Sequence, residues 1–223
     1  MAFSPQVKLH FYGDSHLCDH HHFGQSMNEA ISCISSWRFS EVVNENIHSY
    51  GGAIIDENLV ENFSHQVEKE EPCPQVHVFA IGGNNLCRGL RNGCPRESSE
   101  EVLNCFKNLV KRAGERENLH LVFCSLVPSP KHEPESKEVF WALNLNLKRI
   151  AAANPTMVSF LDLKLVAGPD HHAKRDLFSH DQIHLNIQGS LFMAKRLSQF
   201  LQHLNSSLIG IPTRNEIRQI IMS

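Results

Sequence analysis

A serine close to the amino terminus is the first residue in this chain that is suited to covalent chemistry. The apolar run Val7–Tyr12 predicts a β-strand, and Gly13, Asp14 and Ser15 follow it directly. In α/β folds, the side chains that carry out chemistry lie just beyond the carboxyl ends of buried strands. A serine hydroxyl is a weak nucleophile, so catalysis at Ser15 requires a general base and an oxyanion hole from elsewhere in the chain.

Two glycine- and asparagine-rich stretches follow predicted strands and are candidates for the oxyanion hole. Gly51 and Gly52 are adjacent, and glycine lets the backbone approach a ligand closely. Asn84 and Asn85 come after the apolar run Val76–Ile81, and a side-chain amide there is placed to donate to a developing oxyanion. Each stretch by itself is equally typical of a simple turn.

A histidine and a carboxylate precede the last predicted helix. Asp181 and His184 are three residues apart in a loop that also meets the sheet. An imidazole that is oriented by a carboxylate is the usual general base for a serine nucleophile. The pair is weak evidence alone in a chain with 15 histidines, but its joint occurrence with Ser15 and Asn84 is much less probable by chance.

The elements that must position these residues alternate along the chain. Apolar runs predict five strands, at Val7–Tyr12, Phe39–Ile47 (an edge strand), Val76–Ile81, Leu119–Leu126 and Met157–Asp162. Amphipathic spacing predicts helices at Gln25–Trp37, Asp56–Lys69 (with Asp56 as N-cap), Ser98–Ala113 (with a capping box at Ser98), Glu138–Ala153 and Asn186–Leu204. This alternation predicts an α/β fold, a flavodoxin-like doubly wound parallel sheet in three layers.

Composition narrows the class of protein. The 223 residues fit one domain, expected to span residues 1–204, with a tail at 205–223 to which no role is assigned. A net charge of −3 argues against direct binding of nucleic acid or an anionic membrane, and no apolar run is long enough to cross a bilayer. The first six residues lack signal-peptide features and the seven cysteines are odd in number, so a cytoplasmic or nuclear protein is expected rather than a secreted one.

Three other groups of residues have simpler interpretations than a ligand site. The stretch His16–His22 contains metal-ligating residue types, but a polar loop is favoured over a metal site, because neighbouring side chains do not converge easily on one ion. Arg88, Arg91 and Arg96 lie in the predicted loop Leu86–Glu97, where solvated arginines are favoured over recognition of an anionic substrate. The histidines inside predicted strands (His10, His77 and His120) are expected to be packed in the core.

Together these motifs resemble the SGNH hydrolases, also called GDSL esterases and lipases. The resemblance extends from Val7 to about Leu204. It implies Ser15 as nucleophile, His184 as general base and Asp181 as its orienting carboxylate. It also implies an oxyanion hole made by the backbone of Ser15, the Asn84 side chain and a glycine; both Gly51 and Gly52 align, and Gly52 is preferred.

Within that family the motifs are similar to the esterase domains of LINE-type retrotransposons. The similarity rests on Gly-Asp-Ser-His at 13–16 and on Asp-x-x-His-Leu-Asn at 181–186. The chain departs from the family pattern at His16 and Leu17, where Leu-Ser is usual, and at Asn85, where an Asp is common. Neither departure removes a residue that the chemistry needs.

The resemblance implies a serine esterase that hydrolyses small or short-chain acyl or acetyl esters and uses no metal or organic cofactor. The alternative is a catalytically weak binding or assembly module of transposon-derived origin that keeps the fold. A nucleotide-binding protein of flavodoxin type is less favoured, since no glycine-rich phosphate loop of the usual pattern is present. The oligomeric state is not predicted.

Overall fold

The central sheet has five parallel strands. A computed structural model describes residues 8–17, 47–69, 74–116, 118–126, 129–167 and 172–208. Its strands are β1 (Lys8–Gly13), β2 (Ile47–Ser49), β3 (Gln75–Ala80), β4 (Leu119–Cys124) and β5 (Val158–Leu161). They pair in parallel in the order β2-β1-β3-β4-β5, which confirms the predicted doubly wound sheet with the second strand at its edge. Residues 39–46 of that predicted strand lie outside the described part.

Helices cover both faces of the sheet. They are α1 (Glu57–Lys69), α2 (Gly83–Arg91), α3 (Pro95–Ala113), α4 (Glu133–Ala153) and α5 (Ile187–Leu208). Phe63, Phe106 and Phe140 of α1, α3 and α4 pack in one core, and Met193 and Leu197 of α5 pack in the other. The predicted helix Gln25–Trp37 lies outside the described residues. Within the described ranges, no helix has the length and apolarity needed to cross a membrane.

The stretch after β3 is a helix rather than the predicted loop. Helix α2 begins at Gly83 and runs to Arg91, and it is preceded by Gly82 in a left-handed conformation with φ 119°. Glycine and asparagine favour turns locally, but here Leu86 is fully buried and Asn85 is bonded to another segment. Tertiary contacts therefore outweigh the low helix propensity of the sequence.

Two further helix starts differ from the prediction. Helix α3 begins at Pro95 instead of Ser98, and its N-cap residue, Cys94, makes no side-chain capping bond, so the predicted capping box is wrong. Proline suits the first turn of a helix, because its φ is already fixed and no N–H is needed there. The same effect applies at Pro134, since α4 starts at Glu133 instead of the predicted Glu138. The predicted cap at Asp56 is confirmed, because its Oδ1 accepts the Leu59 N–H at 2.9 Å.

The histidines of the strands are buried, as predicted. His10 and His77 stack across β1 and β3 with ring centroids 4.5 Å apart. The His77 ring donates from Nε2 to Gln75 Oε1 at 2.8 Å and accepts at Nδ1 from the Tyr12 hydroxyl at 3.2 Å, which suits a neutral imidazole. Burial, with smaller contributions from His10 and His48, lowers the pKa of His77 well below its ordinary value. These rings are core residues of the sheet.

Acid should weaken the fold through the buried histidines His77 and His120. Burial lowers the pKa of His120, on β4, from 6.5 to about 4. Between those values the unfolded chain binds a proton at this residue that the folded chain does not, so stability falls as the pH falls. We expect His120→Gln to remove up to about 1.4 kcal/mol per pH unit from that slope. Urea unfolding between pH 6.5 and 4.5 measures it.

The exposed histidine His65 provides the control, since its side chain is 69% accessible. The variant His65→Gln should keep the wild-type slope. Equal slopes for wild type and His120→Gln would contradict the assignment of acid sensitivity to the buried ring.

Candidate active site

Ser15 lies in a tight turn directly after β1. The Asp14 side chain holds this turn, because its Oδ1 accepts the His16 N–H at 3.0 Å, and the Asp14 carbonyl accepts the Leu17 N–H at 3.0 Å. A Cβ atom at Gly13 would overlap the Leu17 side chain, so only glycine fits there. Ser15 itself is 8% exposed. Gly13 thus permits the close approach of Leu17, and the Asp14 side chain stabilises the turn that contains Ser15.

Asp181 and His184 are joined by a short hydrogen bond. His184 Nδ1 donates to Asp181 Oδ2 at 2.6 Å, and Asp181 Oδ1 accepts the backbone N–H groups of Ile183 and His184 at 2.9 and 3.1 Å. Burial opposes the charged carboxylate, but these hydrogen bonds from Ile183 and His184 outweigh it and hold the pKa of Asp181 well below its usual value. The carboxylate is therefore charged at neutral pH and fixes the imidazole with its Nε2 as the outward nitrogen.

The loop that carries this pair is tied to the start of α5. Asn186 Oδ1 accepts the Gly189 N–H at 2.9 Å, and its Nδ2 donates to the carbonyls of Asp176 and Phe178 at 2.8 and 3.1 Å. A Cβ atom at Gly189 would overlap the Leu177 carbonyl oxygen, so glycine permits this close approach. The Asn of Asp-x-x-His-Leu-Asn therefore caps the helix and fastens the loop in which His184 lies.

Asn84 lies in the first turn of α2, and its side chain bonds the segment that follows Gly51 and Gly52. Its Nδ2 donates to the Ala53 carbonyl at 3.0 Å, which leaves the second amide hydrogen for another acceptor. The Ala53 N–H donates to the Tyr50 carbonyl at 3.2 Å, and Gly52 within this turn has a φ of 77°. Gly51 and Gly52 are both exposed. The amide of Asn84 is thus fixed relative to the segment that contains both candidate glycine donors.

Asn85 has a structural role that the amino-acid sequence did not predict. Its Oδ1 accepts the Ile55 N–H at 3.0 Å and its Nδ2 donates to the Ile55 carbonyl at 2.9 Å. A side-chain amide is able to satisfy both backbone groups at once, whereas an aspartate there would only accept. These two bonds fasten the segment that follows Gly51 and Gly52 to α2.

One cavity brings several of these residues together. It has a volume of about 200 Å³ and lies over the carboxyl edge of the sheet, where Ser15, His16 and Asn84 line it beside Ile183. His184 itself is next to Ile183, and its ring centroid is 6.3 Å from that of His16. Neither Gly51 nor Gly52 is among the residues that line this cavity. The hydrogen bonds between described residues include Asp181–His184 but none from Ser15 to His184.

A second serine–histidine pair lines the same cavity and was missed in the sequence. Ser129 Oγ and His132 Nδ1 are 2.9 Å apart, and the His132 N–H donates to the Ser129 carbonyl at 2.9 Å. Both residues lie in the turn that leads into α4. A serine and a histidine three residues apart after a buried strand could have indicated this pair. The prolines around them favoured the interpretation of a simple loop. Ser125, from the end of β4, is the third serine of the lining.

Solved structures of similar shape are esterases and lipases. A family 3 carbohydrate esterase from Clostridium thermocellum superposes with a TM-score of 0.65 at 18% identity, covering 92% of this chain and 100% of that one. A carbohydrate esterase family 3 protein from Talaromyces cellulolyticus gives 0.65 at 14%, covering 91% and 99%. A GDSL-like lipase from Bacteroides thetaiotaomicron gives 0.64 at 13%, covering 88% of each chain. The chain has the fold of these hydrolases.

That likeness extends over nearly the whole chain and agrees with the predicted architecture. Comparison with family models finds no match. Comparison with curated proteins likewise finds no significant match.

The two hydrogen bonds between Asn85 and Ile55 form a clamp between α2 and the segment before α1. Its contribution to stability can be tested by replacing the Asn85 amide with a carboxylate. We expect Asn85→Asp to lower the free energy of unfolding by about 2–4 kcal/mol, because a buried carboxylate would face the Ile55 carbonyl without a donor. Urea unfolding measures the loss. The exposed Asn108 on α3 supplies a matched control, and Asn108→Asp should change stability by less than about 0.5 kcal/mol. Equal stability of the two variants would show that the clamp contributes nothing.

Proposed function

We propose that this protein is a serine esterase that hydrolyses small or short-chain acyl esters, including acetyl esters. The observation that carries the proposal is the 2.6 Å hydrogen bond between Asp181 and His184 beside a cavity that holds Ser15 and Asn84. A serine, an imidazole fixed by a carboxylate and an amide donor are the groups that acyl transfer requires.

The mechanism assigns one step to each residue. His184 Nε2 accepts the Ser15 proton as Ser15 Oγ attacks the ester carbonyl carbon, and Asp181 stabilises the imidazolium that forms. The imidazolium then protonates the leaving alcohol, which leaves an acyl group on Ser15. Water, deprotonated by His184, attacks that acyl group, and the carboxylic acid departs while Ser15 regains its proton. Every proton that His184 accepts is returned, so the cycle closes without a cofactor.

The oxyanion of each tetrahedral intermediate needs donors near Ser15. The Asn84 amide has one hydrogen that is not used by Ala53, and the backbone N–H groups of Ser15 and Gly52 complete the proposed hole. Loss of one such donor typically lowers turnover by about 10²–10³. Catalytic hydrogen bonds are often looser before substrate binds, so the proposal includes an approach of His184 to Ser15 in the substrate complex.

The size of the cavity supports a small acyl group. A volume of about 200 Å³ is below the range of about 300–1,000 Å³ that is typical of drug-sized ligands. Apolar side chains form much of its wall, among them Leu126, Phe140 and Met193. Solved structures of similar shape carry the names of carbohydrate esterases and an acetyl esterase, which fits an acyl group at the small end.

Hydrolysis of 4-nitrophenyl acetate tests the proposal. We expect Ser15→Ala and Asp181→Asn to lower kcat/KM by about 10³-fold or more, since the nucleophile or the correct imidazole tautomer is lost. Asp176→Asn is the matched control, because Asp176 is an exposed carboxylate on the same loop. Its kcat/KM should equal that of the wild type. Wild-type turnover no faster than that of Ser15→Ala would contradict the proposal.

The rival function is a binding or assembly module with little catalysis, in keeping with the retrotransposon-like motifs. The observation that favours it is the lack of a Ser15–His184 hydrogen bond among the described contacts. It predicts no Ser15-dependent hydrolysis together with a stable complex with a macromolecular partner. The esterase predicts the reverse, so the same kinetic comparison separates the two functions.

A further inference from the structure

Helix α2 presents a row of side chains to the candidate active site. Asn84, Cys87 and Arg91 all line the cavity that contains Ser15. Their spacing of i, i+3 and i+7 places them on one face of the helix. The helical rise puts the Arg91 backbone about 10 Å beyond that of Asn84 along the axis. An elongated ligand that lies along this row with one end at Asn84 would have the Arg91 guanidinium at its other end.

Arg91 differs from the two other arginines of this region. Arg96 forms an ion pair with Glu100 at 3.2 Å on the exposed surface. Arg88 lines a separate cavity, in which Glu57 and Glu101 also lie. Arg91 donates from Nε to the Cys87 carbonyl at 3.3 Å, and it pairs with no carboxylate among the described residues. Its remaining N–H donors are available to an anion, and the planar guanidinium matches a carboxylate or phosphate.

The carboxylate of Asp14 also lines this cavity, and it lies at the end of α2 opposite to Arg91. Its Oδ1 is bonded to the His16 N–H, and its Oδ2 is 3.7 Å from the position that a Cβ of Gly83 would take. Asp14 thus lies at the first turn of the helix and Arg91 at its last, each at the end that the helix dipole favours. The cavity is therefore polarised along α2, with its positive end farthest from Ser15.

A second hydrogen-bonding group lines the cavity on the side of α4. His132 is held by Ser129 through Nδ1, so Nε2 is the ring nitrogen that remains for a ligand. The half-buried imidazole lies in the turn before α4, and the exposed guanidinium lies at the end of α2. Together they offer polar contacts to a substrate group that lies beyond the ester bond.

We propose that Arg91 is a specificity-determining residue that selects esters carrying an anionic group, a carboxylate or a phosphate, separated by a short spacer from the bond that is cleaved. The inference deepens the proposed esterase function and rests on it for the identity of the reacting bond. Anion binding at Arg91 is a separate property that can be measured without turnover.

Paired substrates test the selectivity. The anionic probe is 4-acetoxybenzoate, and its methyl ester is the neutral counterpart with the same scissile acetate. We expect Arg91→Gln to lower the ratio of kcat/KM values, anionic over neutral, by about tenfold, as for the loss of one charged hydrogen bond. Arg91→Lys should retain part of the ratio, and Arg88→Gln, one turn away, should leave it unchanged. An unchanged ratio in Arg91→Gln overturns the inference while leaving the esterase proposal intact.

Binding of unreactive probes separates the two proposals. NMR titration with 4-hydroxybenzoate, with 4-hydroxyphenyl phosphate and with phenol is carried out on the wild type, Arg91→Gln and Arg88→Gln. We expect at least one anion to bind about tenfold more weakly to Arg91→Gln alone, and the stronger of the two identifies the anionic group. Such binding without any Ser15-dependent hydrolysis would reject the esterase and keep the anion site. Equal binding of each anion to the wild type and Arg91→Gln would overturn the anion site itself.

Discussion

The parallel pairing of β1 with β3 is the constraint on which the candidate site depends. Its register aligns Gly13 with Ala80, so both strands end at the same level and their following residues emerge side by side. The strand order reverses at this point, because β2 lies beyond β1 and β4 lies beyond β3. Such a switch point leaves a crevice at the carboxyl edge of a sheet, and Ser15 and Asn84 are the residues that the two strands deliver into it.

Asparagine side chains then fasten the loops around that crevice. Asn85 bonds both backbone groups of Ile55, and Asn144 of α4 does the same at Leu126, with both bonds at 2.7 Å. Asn186 joins the start of α5 to the loop of His184. Each amide replaces hydrogen bonds that a loop backbone loses when it leaves the sheet, and it does so without adding a further charge beside Asp14 and Asp181.

The sequence revealed the parts of the fold that depend on apolar periodicity. The strands β1, β3 and β4 are runs of almost wholly buried residues, β5 is buried at both ends, and the limits of all four were predicted to within a few positions. Helix α2 was missed, because its glycines and asparagines are poor helix formers that become favourable only through contacts with residues 53–55. The start of α3 was misplaced for a related reason: Ser98 fits a capping pattern, but Pro95 already begins the helix.

Contacts between residues that are close in sequence were predicted better than contacts between distant segments. Asp181 and His184 are three residues apart, so their contact follows from local loop geometry, and the motif sufficed to find it. The choice between Gly51 and Gly52 depends on how the turn that contains them meets Ser15, which no spacing rule encodes. Arg91 and His132 belong to segments that follow β3 and β4, which the sequence indicates, but that both side chains line the cavity depends on the packing of α2 and α4.

Covalent labelling of the cavity serines tests the central claim most directly. Three serines line the cavity, namely Ser15, Ser125 and Ser129, and Ser129 is the one already bonded to a histidine. A fluorophosphonate probe followed by peptide mass spectrometry should place a single adduct on Ser15 in the wild type and none in Ser15→Ala. An adduct on Ser129, or no adduct on the folded protein, would contradict the assignment of Ser15 as the nucleophile.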